Sequence, residues 1–172
     1  MLAAELRRLY LAHLEVLELD PASPLRGLLQ GARRYTRSFY SPGVEPGAAG
    51  PQGARCEDIT RLTFPDASLD LIVSSDVLEH VPDLEAAFAE TGRVLRPGGL
   101  HLFTVPPRER TRRRPADEPE YHSDPLDPTG ILAVWDIGPD APATFDRPDL
   151  KLEVAAGPQG VDRRVVWRAR KT

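Results

Sequence analysis

The chain has 172 residues, of which 41% are hydrophobic and 28% charged, and its formal net charge is -4 at pH 7. These values predict one compact domain over residues 1–172 with a single hydrophobic core, and the negative charge argues against a nucleic-acid partner. Cys56 is the only cysteine, which excludes an internal disulfide and a thiolate cluster and fits a reducing, cytoplasmic location. No apolar run approaches the roughly 18 residues of a membrane helix, so no membrane partner is expected.

The first third of the chain predicts short helices alternating with strands. The opening MLAAELRRLYLAH has the pattern of an amphipathic helix that ends near His13, rather than of a signal peptide. Alternating apolar residues predict a strand over Leu14–Leu19, and β-prone aromatic residues predict another over Tyr35–Tyr40. About two helical turns fit between them, at Pro24–Gln30. Residues 41–53 are dense in Gly and Pro and predict a flexible loop.

The middle of the chain predicts a strand–helix–strand unit. Leu69–Ser74 is a nearly continuous apolar run, which is typical of a strand buried on both faces. Asp83 is a good N-cap for a helix whose apolar residues continue at helical spacing to Leu95, and Pro97–Gly99 ends that helix. A further strand is predicted over Leu100–Val105. Two strands joined by a helix almost always form a right-handed parallel crossover.

The last third predicts a polar segment followed by a hairpin. Residues 106–120 are polar and contain prolines, which predicts a flexible surface loop. Their arginine-rich run RERTRRR either binds an anionic acceptor or is solvated. Ile131–Trp135 predicts a short strand or helix. Leu150–Ala155 and Val161–Ala169 predict two antiparallel strands around the turn AGPQG.

Four linked segments between Cys56 and Pro106 carry a family resemblance. An acidic residue is followed by LTFPDASLDLIVS, then by VLEHVPD, then by a helix ending in RVLRPGG, and then by a strand. In this order and spacing they closely resemble class I S-adenosylmethionine-dependent methyltransferases, of the type 11 kind. The resemblance implies an α/β fold with a Rossmann-like, mostly parallel sheet and an antiparallel C-terminal hairpin. In this chain the N-terminal half of that fold is reduced in helices.

The resemblance also implies a site for S-adenosylmethionine as cofactor. Asp58 matches the acid that accepts from the adenine amino group, and the backbone of Ile59 would meet the ring. Glu18 matches the acid that begins the family's glycine-rich first motif. Ligands of open parallel sheets bind beyond the carboxyl ends of the strands. The predicted cofactor-binding residues are Glu18, Leu19, Asp20, Asp58, Ile59, Ser74, Ser75 and Asp76.

The first motif departs from the family's pattern. The stretch VLELDPASPLRG lacks the usual glycines, and Pro21 and Pro24 have no backbone N–H to donate. Asp20 adds a negative charge that would attract the cofactor's ammonium group and repel its carboxylate. The second strand ends without the usual ribose-binding acid, for which Glu45 is a candidate substitute from the loop.

Two histidines are the predicted catalytic residues, each with an open alternative. His80 lies where the family often places a residue on the acceptor side, and it would act as a general base near neutral pH. The alternative is an exposed histidine ahead of the helix. His122 would return to the site as part of a lid, or it is an ordinary loop residue. Because no tight ligand spacing connects these histidines with Asp76 and Asp124, no metal site is predicted.

These features predict a methyltransferase with a small-molecule acceptor, in a setting such as bacterial secondary-metabolite or sugar biosynthesis. Two alternatives stay open: a non-catalytic subunit or scaffold that has lost the methyl donor, and a biosynthetic enzyme that uses the fold for another reaction. Thin helical cover on one sheet face further predicts that a homo-oligomer or residues 41–53 shield that face.

Overall fold

The computed structural model describes residues 1–20, 23–123, 128–157 and 164–172. The helices are α1 (Leu2–Leu6), α2 (Arg26–Leu29), α3 (Leu84–Val94) and α4 (Ala141–Phe145). The strands are β1 (Glu15–Glu18), β2 (Arg34–Phe39), β3 (Arg55–Cys56), β4 (Leu69–Ser75), β5 (Leu95–Val105), β6 (Arg112–Arg113), β7 (Tyr121–His122), β8 (Ile131–Leu132), β9 (Trp135–Asp136), β10 (Leu150–Ala156) and β11 (Val165–Lys171).

One seven-stranded sheet organises the molecule, with the strand order β10-β11-β5-β4-β1-β2-β3. The strands from β5 to β3 in this order are mutually parallel, whereas β11 runs antiparallel to both β5 and β10. Between β2 and β3 the described helical structure is one 3₁₀ turn, Pro51–Gly53. The predicted fold class is therefore confirmed: a mostly parallel α/β sheet with an antiparallel C-terminal pair and few helices in its N-terminal half. The turn predicted within the C-terminal hairpin and the start of its second strand fall on residues 158–163, outside the described residues.

The predicted strand–helix–strand unit is present, with β4 and β5 parallel. The Asp83 carboxylate caps α3 by accepting from the backbone N–H of Ala86 at 2.9 Å, which satisfies a donor that the first helical turn leaves unpaired. The helix ends at Val94, and Gly98 takes the left-handed conformation with φ +80°. A side chain at Gly99 would lie 2.9 Å from the carbonyl oxygen of Arg96. The predicted turn Pro97–Gly99 thus lies within β5, as an irregularity in its pairing with β4, and its close approach to the chain is one that a larger residue would prevent.

The opening helix is shorter than expected. It ends at Leu6, and a separate 3₁₀ helix covers Leu11–His13. Isolated short helices are marginal in water, so packing decides the path of this segment: Leu2, Leu6 and Leu11 are all buried against the sheet. Among the described residues, no helix is both long and apolar enough to span a bilayer.

Side chains from alternate positions of the central strands build a hydrophobic core on each face of the sheet. Leu71 and Val73 pack with α1 and α2 on one face, and Ile72 packs with α3 on the other. The largest fully buried side chains, Phe88, Phe103 and Trp167, all lie on the α3 face. Because β4 is buried on both faces, its apolar run follows directly from its central place in the sheet.

His101 is an ionisable side chain within this core. His101, on β5, is fully buried, and its Nε2 lies 2.9 Å from the hydroxyl oxygen of Ser74. Its Nδ1 has no hydrogen-bond partner among the described residues. Burial lowers the pKa of His101 to about 3, so the folded chain holds this imidazole neutral.

We expect His101 to make the fold sensitive to acid. An exposed histidine titrates near pH 6.5, so below about that pH the unfolded chain binds a proton that the folded chain does not. Stability should therefore fall with decreasing pH by about 1.4 kcal/mol per pH unit from this residue alone. Urea unfolding of the wild type and His101→Gln from pH 7 to 5 measures the difference in slope. His13→Gln, at an exposed position, should keep the wild-type slope. Equal slopes for the wild type and His101→Gln would contradict the assignment.

Candidate active site

A cavity of about 790 Å³ opens at the carboxyl ends of the parallel strands. Its walls come from the segments that follow β1, β2, β3 and β4, and from the 3₁₀ helix Leu78–His80. Small-molecule sites occupy about 300–1,000 Å³, and open parallel sheets bind their ligands at this edge. The cavity therefore has the size and the position of a ligand site.

Most of the predicted site residues meet at this cavity. Glu18 and Ser74 are the exceptions, since neither lines the wall. The predicted residues that do line it are Leu19, Asp20, Asp58, Ile59, Ser75, Asp76, His80 and His122.

Glu18 and Ser74 face other parts of the interior. Side chains alternate along a strand, so Glu18 shares the sheet face of Val16, where the Tyr35 hydroxyl donates to its carboxylate. Burial raises the pKa of Glu18 despite this hydrogen bond. Ser74 is fully buried against His101. Both residues support the strand ends from behind the cavity wall.

The turn after β1 is closed by serine rather than by glycine. The backbone N–H of Ser23 donates to the carbonyl of Asp20 at 3.4 Å, and the Ser23 hydroxyl oxygen accepts from the backbone N–H of Leu25 at 3.0 Å. Pro21 lies outside the described residues. Glu45, the candidate ribose-binding substitute, is exposed and does not line the cavity.

Asp58 begins a tight turn at the cavity wall. Its Oδ1 accepts from the backbone N–H of Thr60 at 2.9 Å and from the Thr60 hydroxyl at 2.7 Å, a pattern by which Asp stabilises turns. Ile59 is buried in the core beneath. The neighbouring Glu57, which the sequence predictions did not include, is also buried and holds the turn through the backbone N–H of Thr63 at 2.9 Å.

Asp76 turns the chain at the end of β4. Its φ is +52°, a left-handed conformation that is uncommon for residues other than glycine. The turn is held by the backbone N–H of Asp76, which donates to the Thr104 carbonyl at 3.0 Å. Arg164 approaches the Asp76 carboxylate at 3.1 Å. The sequence carries no signal for this contact, because it joins positions far apart in the chain.

The two predicted catalytic histidines lie together. The rings of His80 and His122 are 4.8 Å apart and nearly perpendicular. The β7–β8 pair brings His122 to this place, because the backbone N–H of Val134, just after β8, donates to the Glu79 carbonyl at 2.7 Å. Glu79 has a buried side chain whose pKa burial raises to about 8. Asp124, the remaining acid considered with these histidines as a metal ligand, lies outside the described residues.

The arginine-rich segment folds over the protein through one acid, Asp136. Arg108, Arg112 and Arg114 each contact its carboxylate, at 3.1, 2.9 and 2.6 Å. Burial alone would raise the pKa of Asp136, but hydrogen bonds from Arg112 and Arg114 hold it below the usual value. The sequence did not predict this anchor, and its only signal there is an acid within the apolar VWDIG. These arginines therefore bind the chain's own acid.

Removing the charge of Asp136 should destabilise the protein. Asp136→Asn leaves the clustered guanidinium groups without their central partner, and we expect a loss of about 2 kcal/mol in the free energy of unfolding, measured with urea. Asp66→Asn is the matched control: Asp66 also pairs with an arginine, Arg93, but its side chain is 79% exposed. Exposed pairs contribute about 0–1 kcal/mol, so an equal loss in both variants would contradict the anchoring role.

Comparison with known proteins identifies the family. Residues 5–103 match the family model described as "Methyltransferase domain". Malonyl-[acyl-carrier protein] O-methyltransferase of Serratia marcescens is 40% identical over 76 residues, which are 42% of this chain and 30% of that protein. Ubiquinone/menaquinone biosynthesis C-methyltransferase of Caulobacter is 38% identical over 68 residues, 40% of this chain and 27% of that protein. The chain thus spans less than a third of the length of these relatives.

Solved structures share the fold over most of the chain. An S-adenosylmethionine-dependent methyltransferase from Mesorhizobium loti superposes with a TM-score of 0.63 at 16% identity, covering 98% of this chain and 96% of that one. A 1,6-didemethyltoxoflavin-N1-methyltransferase from Burkholderia thailandensis, with bound S-adenosylhomocysteine, has a TM-score of 0.59 at 18% identity, covering 99% and 76%. S-adenosylmethionine, the cofactor expected from the sequence, is thus the cofactor of the methyltransferases that share this fold. The chain belongs to the methyltransferase domain family of class I S-adenosylmethionine-dependent methyltransferases.

Proposed function

We propose that this protein transfers a methyl group from S-adenosylmethionine to a small-molecule acceptor. The observation that carries the proposal is the cavity at the strand ends, whose lining includes Leu19, Asp20, Asp58, Ile59 and Asp76. These residues come from the ends of three different strands. In a chain of this family, their meeting at one cavity supports a donor site rather than an incidental surface cleft.

The chemistry of the cavity wall fits the methyl donor. Asp58 offers a carboxylate for the adenine amino group, and Ile59 offers a backbone N–H and an apolar surface for the ring. At the far end, Asp20 offers a negative charge for the ammonium group. Ser75 and Asp76 line the cavity at the end of β4, which neighbours β1 in the sheet on the side away from β2 and β3. The wall therefore offers carboxylates for two polar groups of the donor and an apolar surface for its ring.

The proposed role of the protein in the reaction is mainly alignment. The donor, when bound, supplies a methyl group on a positively charged sulfur. Holding two reactants in line contributes about 7–11 kcal/mol to catalysis. His80 and His122 line the same cavity, and the proposed acceptor site lies beside them. The proposed acceptor is a small molecule, as the printed names of the matched methyltransferases suggest.

A specific observation favours a second candidate, a non-catalytic domain of the same fold. The turn after β1 has prolines where the family has glycines, and no acid stands at the end of β2, where the sequence reads Ser38, Phe39 and Tyr40. Both features remove contacts that the donor makes in the family. Donor affinity decides between the two candidates.

The first test is calorimetric titration with S-adenosylhomocysteine and S-adenosylmethionine. We expect both to bind, and Asp58→Ala to weaken binding by about 10–100-fold, because a hydrogen bond to a charged group contributes about 1.5–3 kcal/mol. Asp117→Ala, an exposed acid outside the cavity, is the matched control and should leave the affinity unchanged.

Each result has a defined consequence. If neither S-adenosylhomocysteine nor S-adenosylmethionine binds at millimolar concentration, the methyltransferase proposal is wrong and the non-catalytic candidate is favoured. Binding that Asp58→Ala leaves unchanged, in a variant with the wild-type circular dichroism spectrum, would remove Asp58 from the site. Binding without methyl transfer to any acceptor would favour another reaction on the same fold.

A further inference from the structure

Three side chains beside the cavity converge on one point. Glu79 Oε1 lies 3.9 Å from His80 Nε2 and 3.7 Å from His122 Nδ1. One ligand-type atom from each residue lies within 4.8 Å of the other two. Ligands bonded to one tetrahedral ion at about 2.0–2.2 Å are separated by roughly 3.4 Å. Small side-chain rotations are therefore enough to bring all three into contact with a single ion.

The hydrogen bonds on the far side of each ring set which nitrogen faces this point. His80 Nδ1 lies 2.9 Å from the carbonyl oxygen of Leu132, and a carbonyl only accepts, so Nδ1 carries the hydrogen. His122 Nε2 lies 2.9 Å from Glu120 Oε1, so it donates to that carboxylate. In the neutral form, each ring with this hydrogen position turns the lone pair of its other nitrogen towards Glu79. Metal-binding histidines are oriented in this way, by a carbonyl or carboxylate behind the ring.

The carboxylate of Glu79 provides an independent observation. Its side chain is 3% exposed, and neither oxygen has a hydrogen-bond partner among the described residues. A buried polar group without a partner is costly and calls for an explanation in a folded protein. An ion between Glu79 and the histidines supplies the missing interaction.

We propose that Glu79, His80 and His122 form a binding site for one divalent transition-metal ion of the Zn²⁺ class. Two imidazoles and one carboxylate suit zinc and its neighbours, whereas Mg²⁺ and Ca²⁺ prefer oxygen ligands. The sequence predicted no metal, because the third ligand lies on β7, far along the chain from the other two. In the folded chain, the β7–β8 pair places His122 beside Glu79 and His80.

The location of this site assigns it to the acceptor side. His80 and His122 both line the cavity, so an ion that they hold would lie beside it. Three protein ligands with open positions are typical of functional rather than structural zinc sites. The acceptor class that fits is a small molecule with an oxygen donor, such as a hydroxyl, able to occupy an open position. This last step rests on the proposed function; the metal site itself does not.

The test is titration of the metal-free chain with Co²⁺, followed by visible absorption. We expect one equivalent to bind with micromolar affinity or tighter, Zn²⁺ to displace it, and millimolar Mg²⁺ to leave it bound. Glu79→Gln and His122→Ala should each weaken Co²⁺ binding at least about tenfold. His13→Ala, which removes an exposed histidine outside the cavity, should bind as the wild type does.

Three outcomes would overturn the proposal. The wild type would show no visible absorption band with Co²⁺, Glu79→Gln would bind Co²⁺ as tightly as the wild type, or Mg²⁺ would displace Co²⁺ as readily as Zn²⁺ does. Glu79→Gln preserves the size of the buried side chain. His122 lies on the short strand β7, outside the central sheet, so at least one of the two variants should fold. Stoichiometric Zn²⁺ should also raise the melting temperature of the wild type, a measurement that needs no variant.

The two proposals fail separately. Titration with S-adenosylhomocysteine in the presence of a chelator tests the donor site alone, and Co²⁺ titration without the ligand tests the metal site alone. Donor binding without cobalt binding would overturn only the metal inference. Cobalt binding without donor binding would overturn only the methyltransferase proposal.

Discussion

Parallel pairing of β4 with β1 on one side and β5 on the other is the constraint on which the rest of the molecule depends. Leu71 pairs with Val16 and with Leu100, and this register aligns the carboxyl ends of the three strands at one edge. The backbone groups of β4 are satisfied by its neighbours, and its side chains are buried on both faces. The cavity lies at this edge because the chain leaves the sheet there after each of several strands. The segments that follow β1, β2, β3 and β4 bring polar residues to its wall.

The acceptor side depends on a second constraint, a connected series of charged contacts. Asp136 binds Arg114 at 2.6 Å, and Arg114 reaches Glu120 at 3.1 Å. Glu120 in turn holds His122 at 2.9 Å. Each charge is at least partly shielded from water, where ion pairs and hydrogen bonds are stronger and an unpaired member is costly. This network gives a segment of short strands a defined position over the cavity, without a hydrophobic core of its own.

The central unit was predictable because its signals are local. Asp83 caps its helix through a neighbour three residues away, and the glycines after α3 serve a turn that is complete within a few residues. The length of the opening helix was less predictable. The spacing of its leucines also fits a longer helix, but their packing against the sheet ends α1 at Leu6. The sequence predicts flexible loops at residues 41–53 and 106–120. The second of these carries β6 and the Asp136 contacts, which the sequence does not signal.

The sequence by itself determined the family, the alternation of strands and helices, and the strand ends around which a donor site forms, because periodicity, caps and turn residues act over a few positions. Only the tertiary structure decided which side chains meet. It turned Glu18 and Ser74 away from the cavity, since side chains alternate across a strand and a single position changes the face. It also brought His122 to Glu79 and His80, and Asp136 to the arginines, because these contacts join segments that are close only after the chain has folded.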